Sequence, residues 1–292
     1  MADHVRLGNA TVTRVLELTF EPGIELFAQT PAQAWTDNAD LMVPTFYSPA
    51  TGRWRVAIQS WVIDVDGLRV LVDTGVGNGR ERPHLPVLSN LDTDYLDGLT
   101  QAGVDPKSVD VVVNTHLHTD HVGWNTMRRG DGWVPTFPNA RYFMPEADFR
   151  FFSPDGPGTH DGIRTVFADS VLPVEDQTVL WSGDYQISES LALRSAPGHT
   201  PGSSVLWLDA GHPAVFVGDL THCPIQIPRP SDPCAFDVDA DAAAVTRRRI
   251  FTEATRRRAT VIPAHYPGHG GATIVARGDR FQVDDWLDVD PI

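Results

Sequence analysis

The sequence is poor in cysteine and has no long hydrophobic run. Only two cysteines, Cys223 and Cys234, occur in 292 residues, which excludes a framework of several disulfides. No stretch approaches about 18 consecutive apolar residues, so no membrane-spanning segment is expected. The first residues show neither the basic start nor the apolar core of a signal peptide. We therefore expect a soluble, cytoplasmic protein that has no membrane partner.

Basic residues are scarce relative to acidic ones. The chain has 23 Lys and Arg residues against 38 Asp and Glu residues, and its formal net charge is −15 at pH 7. A surface this acidic repels phosphate backbones, so a nucleic-acid partner is disfavoured. The partner that we expect is a small-molecule substrate, and a homodimer stays compatible with the sequence.

The apolar pattern predicts strands and helices in both halves of the chain, which favours a single α/β domain over residues 1–292. Strands are predicted at residues 5–18, 56–65, 68–72, 109–114, 140–144, 191–195, 203–208, 214–217 and 260–263, with an edge strand at 273–276. Helices are predicted at residues 92–102, 145–152 and 238–258.

Two further features of this pattern bear on the site. Asp237 is the candidate N-cap of the helix predicted at 238–258, whose last turn carries three arginines. Residues 20–54 show no clear period. They are predicted to form a long ordered loop that covers a pocket.

Histidine is concentrated at one place in the chain. Three of the eleven histidines, His116, His118 and His121, fall within a few residues, and Asp120 lies among them. In an extended segment His116 and His118 point to the same side, so both can hold one metal ion. Asp120 and His121 follow where the chain is expected to turn towards a helix, and they can serve a second ion. Imidazoles with a carboxylate suit zinc, and they also accept manganese, iron or cobalt.

This cluster resembles the HxHxDH signature of the metallo-β-lactamase superfamily. The later elements of that superfamily follow in order. His199 lies in a Pro-Gly-His-Thr-Pro-Gly turn, Asp219 follows a strand in a Gly-Asp pair, and His265 ends the final core strand. Asp73, in a Leu-Val-Asp-Thr-Gly sequence, matches a further element. The resemblance runs from about residue 56 to His265 and implies an αββα four-layer sandwich, with two sheets flanked by helices.

The resemblance also implies two divalent metal ions, with zinc as the first expectation. Its ligand assignment places His116, His118 and His199 on the first ion, Asp120, His121 and His265 on the second, and Asp219 as a bridge between them. Asp73 would orient a ligand imidazole without touching a metal.

Such a pair of metals predicts hydrolysis. Two ions about 3.5–4 Å apart can lower the pKa of a shared water from 15.7 towards ~7, which supplies a metal-bound hydroxide at neutral pH. Asp120 is the predicted catalytic residue, because it can hold the hydroxide and then move its proton. No serine stands in a Gly-x-Ser-x-Gly context that would offer another nucleophile. The chain is therefore predicted to be a metallo-hydrolase.

The substrate is predicted from the loops. Their many aromatic residues favour a small, fairly apolar ester or lactone. His222, three residues after Asp219, and Trp124, which follows Gly123 where many relatives have a second glycine, are the predicted pocket residues. A plain loop position for His222 and a core position for Trp124 are the alternatives.

The neighbours of Asp219 also bear on the branch of the superfamily. Acyl-homoserine lactonases usually carry a tyrosine shortly after the bridging aspartate, but Leu220, Thr221 and His222 occupy those places here. This arrangement is more similar to the methyl parathion hydrolase-like branch, which includes phosphotriesterases, esterases and lactonases. A phosphotriesterase or thioesterase is thus the alternative function. A third hypothesis is a redox or binding protein that holds iron without hydrolysis.

Overall fold

The structure is a computed structural model that describes residues 4–292. The strands are β1 (His4–Leu7), β2 (Ala10–Phe20), β3 (Tyr47–Ser48), β4 (Arg53–Trp54), β5 (Val56–Val65), β6 (Leu68–Val72), β7 (Val111–Val113), β8 (Thr126–Arg129), β9 (Gly132–Pro135), β10 (Arg141–Pro145), β11 (Thr178–Trp181), β12 (Asp184–Gln186), β13 (Leu191–Ser195), β14 (Ser204–Asp209), β15 (Pro213–Gly218), β16 (Thr260–Pro263), β17 (Ala272–Arg277) and β18 (Arg280–Trp286). The α-helices are α1 (Ala32–Asp37), α2 (Ala39–Met42), α3 (Tyr95–Gln101), α4 (Thr119–Val122), α5 (Glu146–Phe152), α6 (Asp161–Val166) and α7 (Ala240–Arg257).

The chain forms two compact units, each of which combines separate stretches of the sequence. The first unit comprises residues 4–6, 10–18 and 58–185, and it is built on a seven-stranded sheet in the order β1-β2-β5-β6-β7-β10-β11. β5 is antiparallel to β6, whereas β6, β7, β10 and β11 are mutually parallel. Because parallel strands carry their carboxyl ends to the same edge, the residues that follow β6, β7 and β10 meet there.

Helices pack on this sheet through a buried core. Leu71 of β6 and Val112 of β7 are fully buried, as short apolar runs in central parallel strands require. Tyr95 and Leu99 of α3 join the same cluster, together with Phe152 of α5. This packing fixes the position of the edge at which β6 and β7 end.

The second unit comprises residues 7–9, 19–57 and 186–292, and its sheet has the order β12-β13-β14-β15-β16-β17-β18. β15 and β16 are parallel, whereas β14 with β15 and β16 with β17 are antiparallel. Helix α7 contacts β15, β16 and β17. The parallel pair brings the residues after β15 and β16 to one edge, where the Ala264 N–H donates to the Gly218 carbonyl at 3.1 Å.

Most predicted strands are observed, with two corrections. The strand predicted at 5–18 is two strands, because the chain turns at Gly8, whose φ is +63°. The edge strand predicted at 273–276 is β17, but it is not an edge, since β18 pairs beyond it. The short hairpin of β8 and β9 was not predicted, because its sequence lacks an apolar alternation.

The N-cap predicted for the long helix is also wrong. Helix α7 begins at Ala240, and the Asp239 side chain accepts from the Ala242 N–H at 3.0 Å. Asp237 lies two residues before this cap, and its carboxylate instead contacts His199 and the Cys234 N–H. The left-handed Arg258, at φ +53°, ends the helix.

The segment predicted as a long loop, residues 20–54, consists largely of short helices and the β3–β4 pair. Its aromatic side chains pack on one another: the Phe27 ring lies edge-on to Trp35 at 5.8 Å and to Trp54 at 5.1 Å between ring centroids. All three are buried. The function proposed for this segment, to cover a pocket, stays a prediction.

No helix within residues 4–292 combines the length and the apolar character that crossing a bilayer requires.

Candidate metal centre

The first two candidate ligands lie side by side at the carboxyl end of β7. His116 and His118 follow this strand in irregular backbone, and His118, at φ −71° and ψ 162°, directly precedes α4. The His116 Nε2 and the His118 Nδ1 are 3.1 Å apart. The two imidazoles therefore lie next to each other, and their binding of one shared metal ion stays a prediction.

Asp120 and His121 lie in the first turn of α4, as the expected turn towards a helix requires. The His121 ring centroid is 3.9 Å from that of His116, and the Asp120 Oδ1 is 3.7 Å from the His121 Nε2. The first unit thus brings together the four candidate ligands that the sequence cluster supplies.

Asp73 holds the His121 imidazole through its Nδ1 atom. It follows β6 directly, in the left-handed region at φ +55°, and its side chain is buried. The Asp73 Oδ2 is 2.9 Å from the His121 Nδ1, and the carboxylate also accepts from the Thr115 N–H and the Thr115 hydroxyl, each at 2.8 Å. A proton on Nδ1 that is donated to Asp73 leaves the Nε2 lone pair for a metal ion.

Asp148 is a buried contributor that sequence reasoning missed. It lies in α5 and its Oδ2 accepts from the Leu117 N–H, between the two first histidines, at 3.1 Å. Its distance of 31 residues from Leu117 in the sequence gives no local signal, since only the parallel pairing of β7 with β10 brings α5 to this edge.

The second unit carries its own set of candidate ligands, grouped around Asp219. His265 follows β16 and Asp219 follows β15, and the His265 Nε2 lies 3.0 Å from the Asp219 Oδ1. The His265 Nδ1 donates to the Ala57 carbonyl at 2.9 Å. The His199 Nε2 lies 3.4 Å from the Asp219 Oδ2. Three residues that the resemblance assigned to metals therefore converge within this unit.

Asp237 holds His199 as Asp73 holds His121. The Asp237 Oδ1 is 3.0 Å from the His199 Nδ1, and its other oxygen accepts from the Cys234 N–H at 3.0 Å. Burial acts to raise the pKa of Asp237, but the His199 hydrogen bond and the nearby cations lower it below its usual value. Asp237 is thus a buried, ionised carboxylate. In the sequence alone, Asp237 has the context of a helix N-cap, because it directly precedes the residues predicted to begin the long helix.

The imidazole of His199 is suited to metal binding in its neutral form. Burial lowers the pKa of His199 below its ordinary value, although Asp237 and Asp219 act in the opposite direction. The turn that carries His199 is fixed by close packing: Gly198 has φ +138°, and a Cβ there would collide with the backbone of Ala243 in α7. Only glycine fits this position without displacing the helix.

His222 belongs to the same cluster as Asp219. It is 3% exposed, and its Nε2 lies 3.3 Å from the Asp219 Oδ2. Its ring is stacked with His265, at 6.0 Å and 16° between planes, and it also contacts Phe236. His222 lies in the loop after β15, as the alternative has it, but it is buried in this cluster, and its contact with substrate stays a prediction.

Trp124 is a core residue of the first unit. It is buried and stacks on Tyr95 with 5.3 Å between centroids and 18° between planes. Its indole Nε1 donates to the Glu17 Oε1 at 2.7 Å. The core alternative accounts for Trp124, and its predicted contact with substrate stays a prediction.

The two sets of donors share one chemical pattern that fits divalent metal ions. The Nδ1 atoms of His121, His199 and His265 each contact a protein oxygen at 2.9–3.0 Å. With the proton on Nδ1, the Nε2 lone pairs of His199 and His265 face the anionic oxygens of Asp219. Lone pairs and carboxylates repel one another unless a cation lies between them, so this is the donor set of a cation site.

Comparison with known proteins identifies the family. The model of the metallo-beta-lactamase superfamily matches residues 53–265, which is well over half of the chain. The chain belongs to the metallo-β-lactamase superfamily.

The chain is 26% identical to N-acyl homoserine lactonase AttM of Agrobacterium fabrum over 187 residues, 62% of this chain and 67% of that protein. It is 27% identical to the probable metallo-hydrolase MJ0296 of Methanocaldococcus jannaschii over 177 residues, 60% of this chain and 66% of that protein. The chain therefore spans about two thirds of the length of these relatives.

Solved structures share the fold of this superfamily member. The hydrolase AbOPH of the β-lactamase superfamily superposes with a TM-score of 0.80 at 21% identity, covering 100% of this chain and 98% of that one. AidC, described as a dizinc quorum-quenching lactonase in complex with a product, superposes with a TM-score of 0.79 at 18% identity, covering 98% and 96%. The expected fold class is confirmed: this is a metallo-β-lactamase fold with two mixed sheets flanked by helices. The chain is a metallo-hydrolase with clusters of His and Asp residues of the kind that bind divalent metals.

The Asp237→Asn variant tests the carboxylate that holds His199. An amide must turn its NH2 group towards either the His199 Nδ1–H or the Cys234 N–H, both of which are donors. We expect zinc affinity to fall by about 10–100-fold, as measured by competition with a chromophoric chelator. The exposed Asp131→Asn variant is the control and should bind as wild type does. Equal affinity of the Asp237→Asn variant would show that the contact does not hold a ligand.

Proposed function

We propose that this metallo-hydrolase cleaves a small, fairly apolar ester or lactone at two divalent metal ions, most simply zinc. The residues that would hold them are His116, His118 and His199 for one ion, Asp120, His121 and His265 for the other, and Asp219 for both. One observation carries the proposal: the Nδ1 atoms of His121, His199 and His265 are held by protein oxygens, which leaves Nε2 to the metals. Two such ions would acidify a shared water and polarise the bond to be cleaved.

Asp120 is proposed as the catalytic residue. Its side chain is 18% exposed, whereas that of Asp219 is 6% exposed, so Asp120 is the ligand carboxylate that can exchange a proton with solvent. One Asp120 oxygen would orient the attacking water and accept its proton. The same oxygen would then deliver that proton to the leaving alcohol oxygen. Asp219, with imidazoles at 3.0–3.4 Å, is better suited to a fixed structural charge.

Two aromatic rings next to the imidazoles favour an apolar substrate. The Phe152 ring lies 5.3 Å from that of His118 in the first unit. In the second unit the Phe236 ring lies 6.4 Å from that of His222, and Phe236 is 44% exposed. The exposed Phe236 ring beside His222 can pack on an acyl chain or an aromatic leaving group. The curated relatives named N-acyl homoserine lactonases support the ester and lactone class.

The Asp120→Ala variant tests the proposed catalytic residue. It removes one metal ligand and the group that moves the proton, so we expect turnover to fall by at least about 10²-fold. Treatment with a chelator should likewise abolish wild-type turnover, and added zinc or manganese should restore it. The exposed Asp176→Ala variant should keep wild-type rates. Full activity of the Asp120→Ala variant would refute the assignment.

A substrate panel tests the proposed class. It compares kcat/KM for p-nitrophenyl esters of increasing acyl length, γ- and δ-lactones, a thioester and paraoxon. We expect esters or lactones to be hydrolysed fastest, with kcat/KM rising with apolar length. Paraoxon or thioester turnover well above that of every ester and lactone would favour the alternative function. Stoichiometric iron without hydrolysis of any compound would favour a redox or binding protein.

A further inference from the structure

A buried carboxylate in the first unit lies outside the proposed chemistry. Glu17 is in β2 and is 8% exposed. Its Oε2 accepts from the Val76 N–H at 2.7 Å, and its Oε1 accepts from the Gly77 N–H at 3.0 Å and from the Trp124 indole at 2.7 Å. Burying an anion is costly unless it is well hydrogen-bonded, and three donors compensate that cost for Glu17. The three contacts identify what this carboxylate holds in place.

The two peptide groups that Glu17 binds belong to the segment that carries Asp73. Val76 and Gly77 follow Asp73 within four residues, and the carboxylate lies so close that a Cβ at Gly75 would collide with its Oε2. Gly75 therefore allows the carboxylate to pack directly on this loop. Asp73 in turn holds His121 through the 2.9 Å contact with its Nδ1.

The third donor to Glu17 belongs to the segment that follows the metal-binding motif. The Trp124 N–H donates to the Thr74 carbonyl at 2.7 Å, and the Gly123 N–H donates to the Gly75 carbonyl at 2.8 Å. The Thr74 N–H donates to the His121 carbonyl at 2.9 Å. Glu17 thus binds both of the segments that meet here: the loop that follows Asp73, through Val76 and Gly77, and the segment that follows the motif, through Trp124.

The protonation state of Glu17 follows from its partners. All three are donors, so the ionised carboxylate accepts from each of them, whereas the proton of the neutral acid would find no acceptor among these partners. Burial raises the pKa of Glu17 above its ordinary value, while the hydrogen bonds from Val76, Trp124 and Gly77 oppose that change. The neutral acid would turn a proton towards donors, so the contacts favour the anion.

A buried cation compensates this charge on the other side of the same segment. The Arg80 guanidinium donates to the Gly123 and Thr126 carbonyls, each at 2.6 Å, and pairs with Asp169 at 2.9 Å. Burial lowers the pKa of Arg80 to about 10, so it stays charged at neutral pH, and Glu17 is among the anions that stabilise the charge. The residues after the motif are therefore held between an anion and a cation.

We propose that Glu17 is a positioning residue of the metal centre. Its carboxylate fixes the Val76–Gly77 backbone and the Trp124 indole. It thereby keeps the Asp73 side chain in the position from which it holds the His121 imidazole for metal binding. The inference rests on the proposed function, because it takes His121 to be a metal ligand. The inference extends the metal centre to a residue about 100 positions before the motif in the sequence. Glu17 would act on the metal indirectly, through Asp73 and then His121.

The Glu17→Gln variant tests this inference, with the exposed Glu175→Gln variant as the matched control. A glutamine amide has one accepting oxygen, so its NH2 group must face at least one of the three donors. We expect affinity for one zinc ion to fall by about 10-fold or more in a chelator competition. At saturating cobalt, we expect the visible absorption bands of Glu17→Gln to shift, because the His121 ligand is displaced. Glu175→Gln should match wild type in both measurements.

A second variant guards against a loss of folding. Trp124→Phe keeps an aromatic ring in the core but removes the indole N–H, and it should lower zinc affinity in the same direction by a smaller factor. If Glu17→Gln does not fold, Trp124→Phe carries the test. Wild-type zinc affinity and an unchanged cobalt spectrum in the folded variant would overturn the inference and leave the proposed function intact. A wild-type protein that binds no stoichiometric metal would overturn both.

Discussion

A histidine binds a metal ion through one ring nitrogen most tightly when its other ring N–H is held by a protein oxygen, and this constraint organises the proposed site. Asp73, Asp237 and the Ala57 carbonyl contact the Nδ1 atoms of His121, His199 and His265. Each contact selects the tautomer whose Nε2 carries the lone pair and prevents the ring from turning. The surrounding fold can be understood as the means of bringing these oxygens to the ends of the strands that carry the histidines.

Placing so many carboxylates below the surface requires compensation elsewhere in the fold. Asp237 lies 3.6 Å from the buried Arg247, which also donates to the carbonyls of Pro230 and Asp232. In the first unit, Arg80 and Arg82 both pair with the buried Asp169. Breaking such a pair leaves an unpaired buried charge, at a cost of about 3–5 kcal/mol. The arginines therefore limit how the backbone near the candidate ligands can move.

The parts of this arrangement that follow from local sequence were predictable. The cluster from His116 to His121 is contiguous, so its geometry is set by one strand end and one helical turn. The central strands β5 and β6 were predicted with their observed bounds, because their apolar runs and the Asp66-Gly67 turn are local signals. The later ligands came from a family resemblance, whose motifs lie at strand ends and turns.

The parts that depend on long-range contacts were not predictable. Asp237 has the sequence context of a helix cap, and only the tertiary contact with His199 distinguishes its function. Glu17 and Asp148 occupy ordinary strand and helix positions, and their partners are distant in the chain. For Trp124, next to the motif, the sequence left a pocket position and a core position open, and only the structure places its ring against Tyr95. In each case the identity of the residue was visible, whereas its neighbours were set by strand order.

The central claim is that two metal ions are held by the seven candidate ligands. An anomalous diffraction map of zinc-loaded crystals, collected on both sides of the zinc absorption edge, tests it most directly. The account predicts two peaks about 3.5–4 Å apart, with the nitrogens of His116, His118 and His199 on one ion and of His121 and His265 on the other. Zinc peaks that lie only at other residues, or a single ion that leaves either the His116–His121 segment or Asp219 without a metal, would contradict it.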